Sequence, residues 1–309
     1  MAKKLLLNNK KAVDDSMYTI ITATVSDTAT DNEKFLIVNN LESEKVILNG
    51  VEYTPTATTE LIKEENNEGE LVEQAITKCN IPLEVGNNEI KIEGNFNLKG
   101  NTIVFDVPQL GNKLTLLVDM FRCCTGITTL SCSNWDVSNI TSFSSAFQAC
   151  SNLATLDVSK WNTSKCTNMS NLFNSCKLLT TLDVSQWNTS KCTSMSGTFS
   201  GCRALTTLDL SMFNTNVCTE MSNMFNNCPS LTTLNFSNAN TSLVTTMATM
   251  FFGDSALTNI DIRNFDSTSL TSVVNMFGAV SSSATVTINS SKFTKTESEC
   301  NFSGTFTTI

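Results

Sequence analysis

No histidine occurs anywhere in the 309 residues. That removes the Ser-His-Asp and Cys-His pairs of nucleophilic catalysis, and the His-Glu-x-x-His motif with them. Twelve cysteines are present, but none stands in a Cys-x-x-Cys pair, so the usual zinc arrangements are missing too. There is no glycine loop of the phosphate-cradling kind. Charge is sparse at 16% and carries a net −9, with no basic stripe of the sort a nucleic-acid surface needs. No run approaches the roughly 20 apolar residues of a membrane-spanning helix. The opening Met-Ala-Lys-Lys-Leu-Leu-Leu has only three apolar residues in a row, where a signal peptide needs about 7–15. No cysteine near the start suits lipid attachment, and no apolar anchor closes the chain, so ordinary export is not expected of a complete sequence, whereas a trimmed one would simply have lost its signal. A glycosidase working with carboxylates alone stays open, but no paired acids stand out. The chain is expected to be no enzyme and to need no cofactor or metal.

What is present is a period. Phenylalanine recurs every 26 residues at Phe121, Phe147, Phe173, Phe199, Phe225, Phe251 and Phe277. A constant period without insertions means one unit stacked on copies of itself, and such stacks mostly bind rather than catalyse. Each unit opens on a threonine six residues before the Phe (Thr115, Thr141, Thr167, Thr193, Thr219, Thr245, Thr271), read as the N-cap of a short helix. Met169, Leu172, Phe173 and Cys176 then follow at i, i+3, i+4 and i+7, one face of a helix. Leu182 and Val184, two apart, have the strand period. A short helix joined to a short strand is the make-up of a leucine-rich-repeat coil.

The first part of the chain differs. Residues 1–112 hold 10 Lys/Arg against 18 Asp/Glu, net −8, and residues 113–309 hold 10 against 11, net −1. Met17–Val25, Lys34–Val38, the segment 81–93 and Thr102–Val107 read as strands, and Asn49-Gly50 signals a hairpin. Glu60–Glu73, with four Glu between 64 and 70, reads as an exposed loop or short helix. The expected organisation is a basic arm over 1–14 (Lys3, Lys4, Lys10, Lys11), an all-β sandwich-like domain over 15–112, an α/β leucine-rich-repeat solenoid of about seven coils over 113–290, and capping strands over 291–309.

Two resemblances add to this. The segment Leu83-Glu-Val-Gly-Asn-Asn-Glu-Ile-Lys-Ile resembles the late-strand turn of immunoglobulin-like sandwiches in bacterial and phage surface proteins. The repeat Met-x-x-Met-Phe-x-x-Cys-x-x-Leu-x-x-Leu-Asp-x-Ser-x-Trp-Asn-Thr-Ser resembles that of bacterial BspA-like leucine-rich surface proteins over residues 115–290, most closely from Trp161 to Phe225. The resemblance implies an adhesive or protein-binding module without enzymatic activity. Ala239 in place of the Trp, Asp254 and Val280 in place of the Cys, and Ser283 in place of the first Leu depart from it, and suggest specialised last coils.

Repeated positions form columns. Cysteines 124, 150, 176, 202 and 228 make one, and 166, 192 and 218 another. They read as small buried apolar residues against the alternative of disulfides or a metal site. Free thiols in this number suit a reducing compartment. The Met columns read as core. Trp135, Trp161, Trp187 and Phe213 read as corner packing, against an aromatic ligand platform. With Leu182 and Val184 inside, the positions between them face solvent, and the candidate ligand-binding residues are Thr155, Asp157, Thr181, Asp183, Ser185, Thr207, Asp209, Ser211, Thr233, Asn235 and Asp261. Their other reading is a merely solubilising face; a calcium site on the Asp column or an ice-binding surface fits less well. Asn162-Thr-Ser and Asn188-Thr-Ser are repeat consensus and matter for glycosylation only in a eukaryotic secretory setting.

The function expected is a non-enzymatic structural or adhesion protein. One setting is a phage virion, made in the host cytoplasm, with the first domain attached to other virion proteins and the repeats facing a host surface protein or glycan. The other settings are a bacterial cell-surface adhesin and an intracellular scaffold. No nucleic acid and no membrane insertion are expected, and a homo-oligomer would suit such a stack.

Overall fold

The computed structural model describes residues 114–236 and 238–309 in full; before them it describes Leu110 and the backbone of eight strands, with side chains only at Val46–Leu48. Those strands are β1 (Tyr18–Val25), β2 (Phe35–Asn39), β3 (Val46–Leu48), β4 (Val51–Tyr53), β5 (Ala57–Glu65), β6 (Leu71–Pro82), β7 (Gly86–Glu93) and β8 (Phe105–Gln109). They form two antiparallel sheets, ordered β4-β3-β7-β1-β8 and β2-β6-β5. β3 and β4, the strands on either side of Asn49-Gly50, pair antiparallel, with Leu48 opposite Val51. Glu60–Glu73, in contrast, is neither loop nor helix over most of its length. It supplies the end of β5 and the start of β6, with Lys63 opposite Glu73 in register. β5 is an edge strand, and an edge tolerates the charges that a central strand would not. The basic arm, residues 1–14, lies outside the described residues.

The repeat region overturns the expected fold class. Among the described residues there is no helix, and the parallel strands run only two to four residues: β9 (Thr129–Leu130), β10 (Thr155–Leu156), β11 (Thr207–Asp209), β12 (Thr233–Asn235), β13 (Asn259–Asp261), β14 (Thr285–Ile288) and β15 (Phe306–Thr308). They fall into small separate sheets, β10-β9, β11-β12 and β13-β14-β15. This is not an α/β leucine-rich-repeat solenoid. The immunoglobulin-type sandwich is withdrawn with it, because the two strand orders of the first part do not follow the ABED/CFG arrangement.

The missing helix has a physical cause. In the third coil the amides of Met169, Asn171, Phe173 and Ser175 donate to carbonyls of the next coil, at Ser194, Ser196, Thr198 and Ser200 (2.7–3.0 Å). The alternate amides of Leu172, Asn174 and Cys176 close turns on the carbonyl three residues back. A helix would keep every amide for itself, whereas here every second one joins neighbouring coils. The alternation needs a left-handed residue twice per coil. Positions 119, 145, 171, 197, 223, 249, 275 and 301 have φ of 53–62°, and positions four later, 123 to 279, have φ of 59–80°. Asn, Asp and Gly are frequent there, the residues that adopt this conformation at least cost. Met169, Leu172, Phe173 and Cys176 are nonetheless all fully buried, because two successive turns bring the same four residues inward as a helix would.

Parallel bridges at Leu116, Ser142, Asn168, Ser194, Glu220, Thr246 and Ser272 mark seven stacked coils. The threonines expected as helix caps serve this stacking instead: Thr141, Thr167, Thr193, Thr219, Thr245 and Thr271 each donate amide and hydroxyl to the carbonyl of the threonine one coil earlier. Inside, the Phe column stacks with ring centroids 5.1–6.0 Å apart. A buried polar column runs beside it, Thr163, Thr189, Thr215, Thr241 and Ser267, each hydroxyl donating to a carbonyl of the following coil.

The described cysteines are all free thiols, and all but Cys123 are buried. Cys150, Cys176, Cys202 and Cys228 donate their Sγ–H to the carbonyls of Phe121, Phe147, Phe173 and Phe199 (2.9–3.2 Å). Burial pushes the thiols of Cys150 and Cys202 up to about 12, so they stay neutral and unreactive in the fold. Titration of unfolded, unreduced protein should therefore find nearly all twelve thiols, while the folded protein should react slowly. Loss of several thiols to disulfides among Cys176, Cys202 and Cys228 would refute this account.

Candidate functional site

Along the strand side, the burial alternates as the repeat phase requires. Leu156, Leu182 and Leu208 point inward, and Thr155, Asp157, Thr181, Asp183, Thr207 and Asp209 are exposed. Those six exposed residues line one open groove of about 570 Å³, whose floor is Leu130, Leu156 and Leu182. Leu182 was read simply as facing inward; here it also reaches the groove.

β9 pairs with β10 and β11 with β12, but the row Thr181–Asp183 between these pairs forms no strand. Among the described residues, no backbone hydrogen bond joins residues 180–183 to either flanking row. The bond that Leu210 N–H makes to the Asn235 carbonyl (2.8 Å) has no counterpart at Val158 or Val184. Behind the row, Trp161 and Trp187 are nearly parallel (1°) with centroids 6.1 Å apart, and Phe213 follows at 6.5 Å. The indole N–H groups join successive coils, Trp161 donating to the Cys132 carbonyl (3.1 Å) and Trp187 to that of Val158 (3.0 Å). At 1–5% exposure, Trp135, Trp161, Trp187 and Phe213 are packing residues and offer no platform to a ligand.

The groove carboxylates are locally braced. Asp157 Oδ1 accepts the hydroxyl (2.6 Å) and amide (3.1 Å) of Ser159, and Asp183 and Asp209 accept the amides of Ser185 and Ser211 (3.0 and 2.9 Å). These bonds hold the Asp157 and Asp209 carboxyls below the usual carboxylate range, through the Ser159 hydroxyl and the Ser211 amide first. Both therefore stay charged at any neutral or mildly acidic pH. The same Asx turn recurs at Asn162 and Asn188, whose Oδ1 atoms accept the Ser164 and Ser190 amides (3.2 and 3.0 Å), so the apparent sequons have a structural use.

The other candidates lie elsewhere. Ser185 and Ser211 are half-buried partners of the Asp turns. Thr233 and Asn235 are on β12, outside the groove lining. Asp261 is paired with the Arg263 guanidinium at 2.8–2.9 Å. Among the described residues, no group of three or more Asp, Glu or Cys is placed to hold a metal ion.

No curated protein and no solved structure matches the chain. A family model does, described as "Mycoplasma protein of unknown function, DUF285", and it matches twice, over residues 115–233 and 193–308. The two matches together span the whole stack of coils and well over half of the chain. This chain belongs to that family.

Proposed function

We propose that this chain is a non-enzymatic recognition protein displayed on an exposed surface, and that the groove along Thr155–Asp209 binds a host surface protein or glycan. The observation that carries the reading is the convergence of three braced carboxylates and three threonine hydroxyls on one open groove. Such a lining offers directional hydrogen bonds over an apolar floor. The first setting is a phage particle, in which residues 1–112, with nearly all the net charge, attach to other virion proteins. The family match favours a second: the family is described as a Mycoplasma protein, and the repeat resembles that of BspA-like bacterial surface proteins, so a cell-surface adhesin fits as well.

Asp183→Arg with Asp209→Arg reverses two of the three groove charges on exposed positions. The labelled double variant should lose at least about tenfold in binding to host cells or to a glycan array, equivalent to about 1.4 kcal/mol, with its melting temperature unchanged. Undiminished binding would remove the groove from the recognition surface. Immunogold labelling separates the two settings, by particles in one and cell envelopes in the other.

A further inference from the structure

We propose that the joint between the coil carrying Cys228 and the coil carrying Asp254 is a proton-dependent weak point of the stack, where residues 245–309 come away as the Asp254 carboxyl ionises. Asp254 occupies the next position of the column formed by Cys150, Cys176, Cys202 and Cys228. Elsewhere in that column the cysteine amide bonds to the Phe carbonyl three residues back, as Cys176 does to Phe173 (3.0 Å) and Cys202 to Phe199 (3.2 Å). At Cys228 the amide turns instead to Asp254 Oδ1, at 2.8 Å, across the coil boundary. Asp254 is 0% exposed, and its Oδ2 has no hydrogen-bond partner.

The surroundings give an ionised carboxyl nothing to pair with. From the preceding coil it meets the Cys228 amide and the Cys228 thiol, itself kept neutral mainly by burial. From the following coil the same column presents Val280, buried and apolar. Neither lysine nor arginine contributes to its titration; burial dominates, raising the carboxyl to about 8, opposed only by the Cys228 amide. Once the coils part and water reaches the carboxyl, its affinity for protons returns to the ordinary value near ~3.9. The closed joint thus holds a proton that the open joint releases. Opening is rarest in acid, grows by at most about tenfold per pH unit between ~4 and about 8, and levels off above. The thiols that hold this position in earlier coils, Cys150, Cys176 and Cys202, are all raised by burial and stay neutral across this window.

Hydrogen exchange of the full chain at pH 5, 6, 7 and 8, corrected for the intrinsic amide rate, tests this. Protection of amides 245–309 should fall by up to about tenfold per pH unit relative to that of the coils over 141–202. Asp254→Asn should abolish that slope, and so should Asp254→Cys, which restores the residue of the column and serves if the amide variant folds poorly. An equal pH response in all coils, or an undiminished slope in either variant, would overturn the proposal.

Discussion

Phe199→Ala is expected to cost about 3–5 kcal/mol of stability, the range for removing a fully buried ring from a packed core. Phe199 is 0% exposed and stacks on Phe173 at 6.0 Å and on Phe225 at 5.9 Å. Its carbonyl also receives the Cys228 thiol, so a backbone shift into the cavity would disturb the next coil as well. Each coil touches only its neighbours, and the loss should therefore uncouple the stack on both sides of the fourth station. In urea, the single transition should broaden or divide, with a lower slope per step. Thr181→Ala, on the exposed row of the same face, should cost under about 0.5 kcal/mol. Equal costs for the two changes would mean that the inward and outward positions have been assigned wrongly.

Thr189→Val is expected to cost about 2–4 kcal/mol although it keeps the shape of the side chain. Thr189 is fully buried; its Oγ1 donates to the Asn214 carbonyl (2.9 Å) and accepts the Asn214 amide (2.8 Å). The methyl of valine can do neither, so the Asn214 amide and carbonyl both lose their partner, at about 1–3 kcal/mol each. Thr189→Ser keeps both bonds and should cost clearly less, since the chain itself uses Ser267 in this column, with bonds to the Lys292 carbonyl and the Thr294 amide. Urea midpoints of the three proteins decide it. Similar losses for Val and Ser would assign the column to packing rather than to hydrogen bonding.

Much of the repeat region was legible before the structure. The period located every coil boundary, and the alternation at Thr181-Leu182-Asp183 sorted inside from outside correctly. The helix was the failure, and the signal against it was in view. A helix interior seldom carries Asn171, Gly197, Asn223 and Asn275 at one fixed phase, because Gly alone costs about 1 kcal/mol there relative to Ala. Residues suited to positive φ, repeated at that phase, announce turns. The apolar spacing could not decide between them, since Met169, Leu172, Phe173 and Cys176 are buried either way.

The six groove residues were nameable from their columns, but the groove was not. Nothing along the chain says that Ser185 and Ser211 serve as partners of Asp turns, or that Asp261 is neutralised by Arg263. Asp254 was visible as a departure from the Cys column, and only its surroundings make it a buried carboxyl with one oxygen unpaired.

The sequence by itself determined the number and register of the coils, because identical units 26 residues apart pack only on one another with like residues in line. It also determined which residues face inward, since burying an apolar side chain is favourable in whatever backbone carries it. The tertiary structure alone decided which backbone carries it. Whether an amide bonds within its own turn or to the next coil depends on a neighbour that local sequence does not contain. The same holds for the ladder that lapses at Thr181–Asp183, where a groove stands in place of the continuous strand face expected.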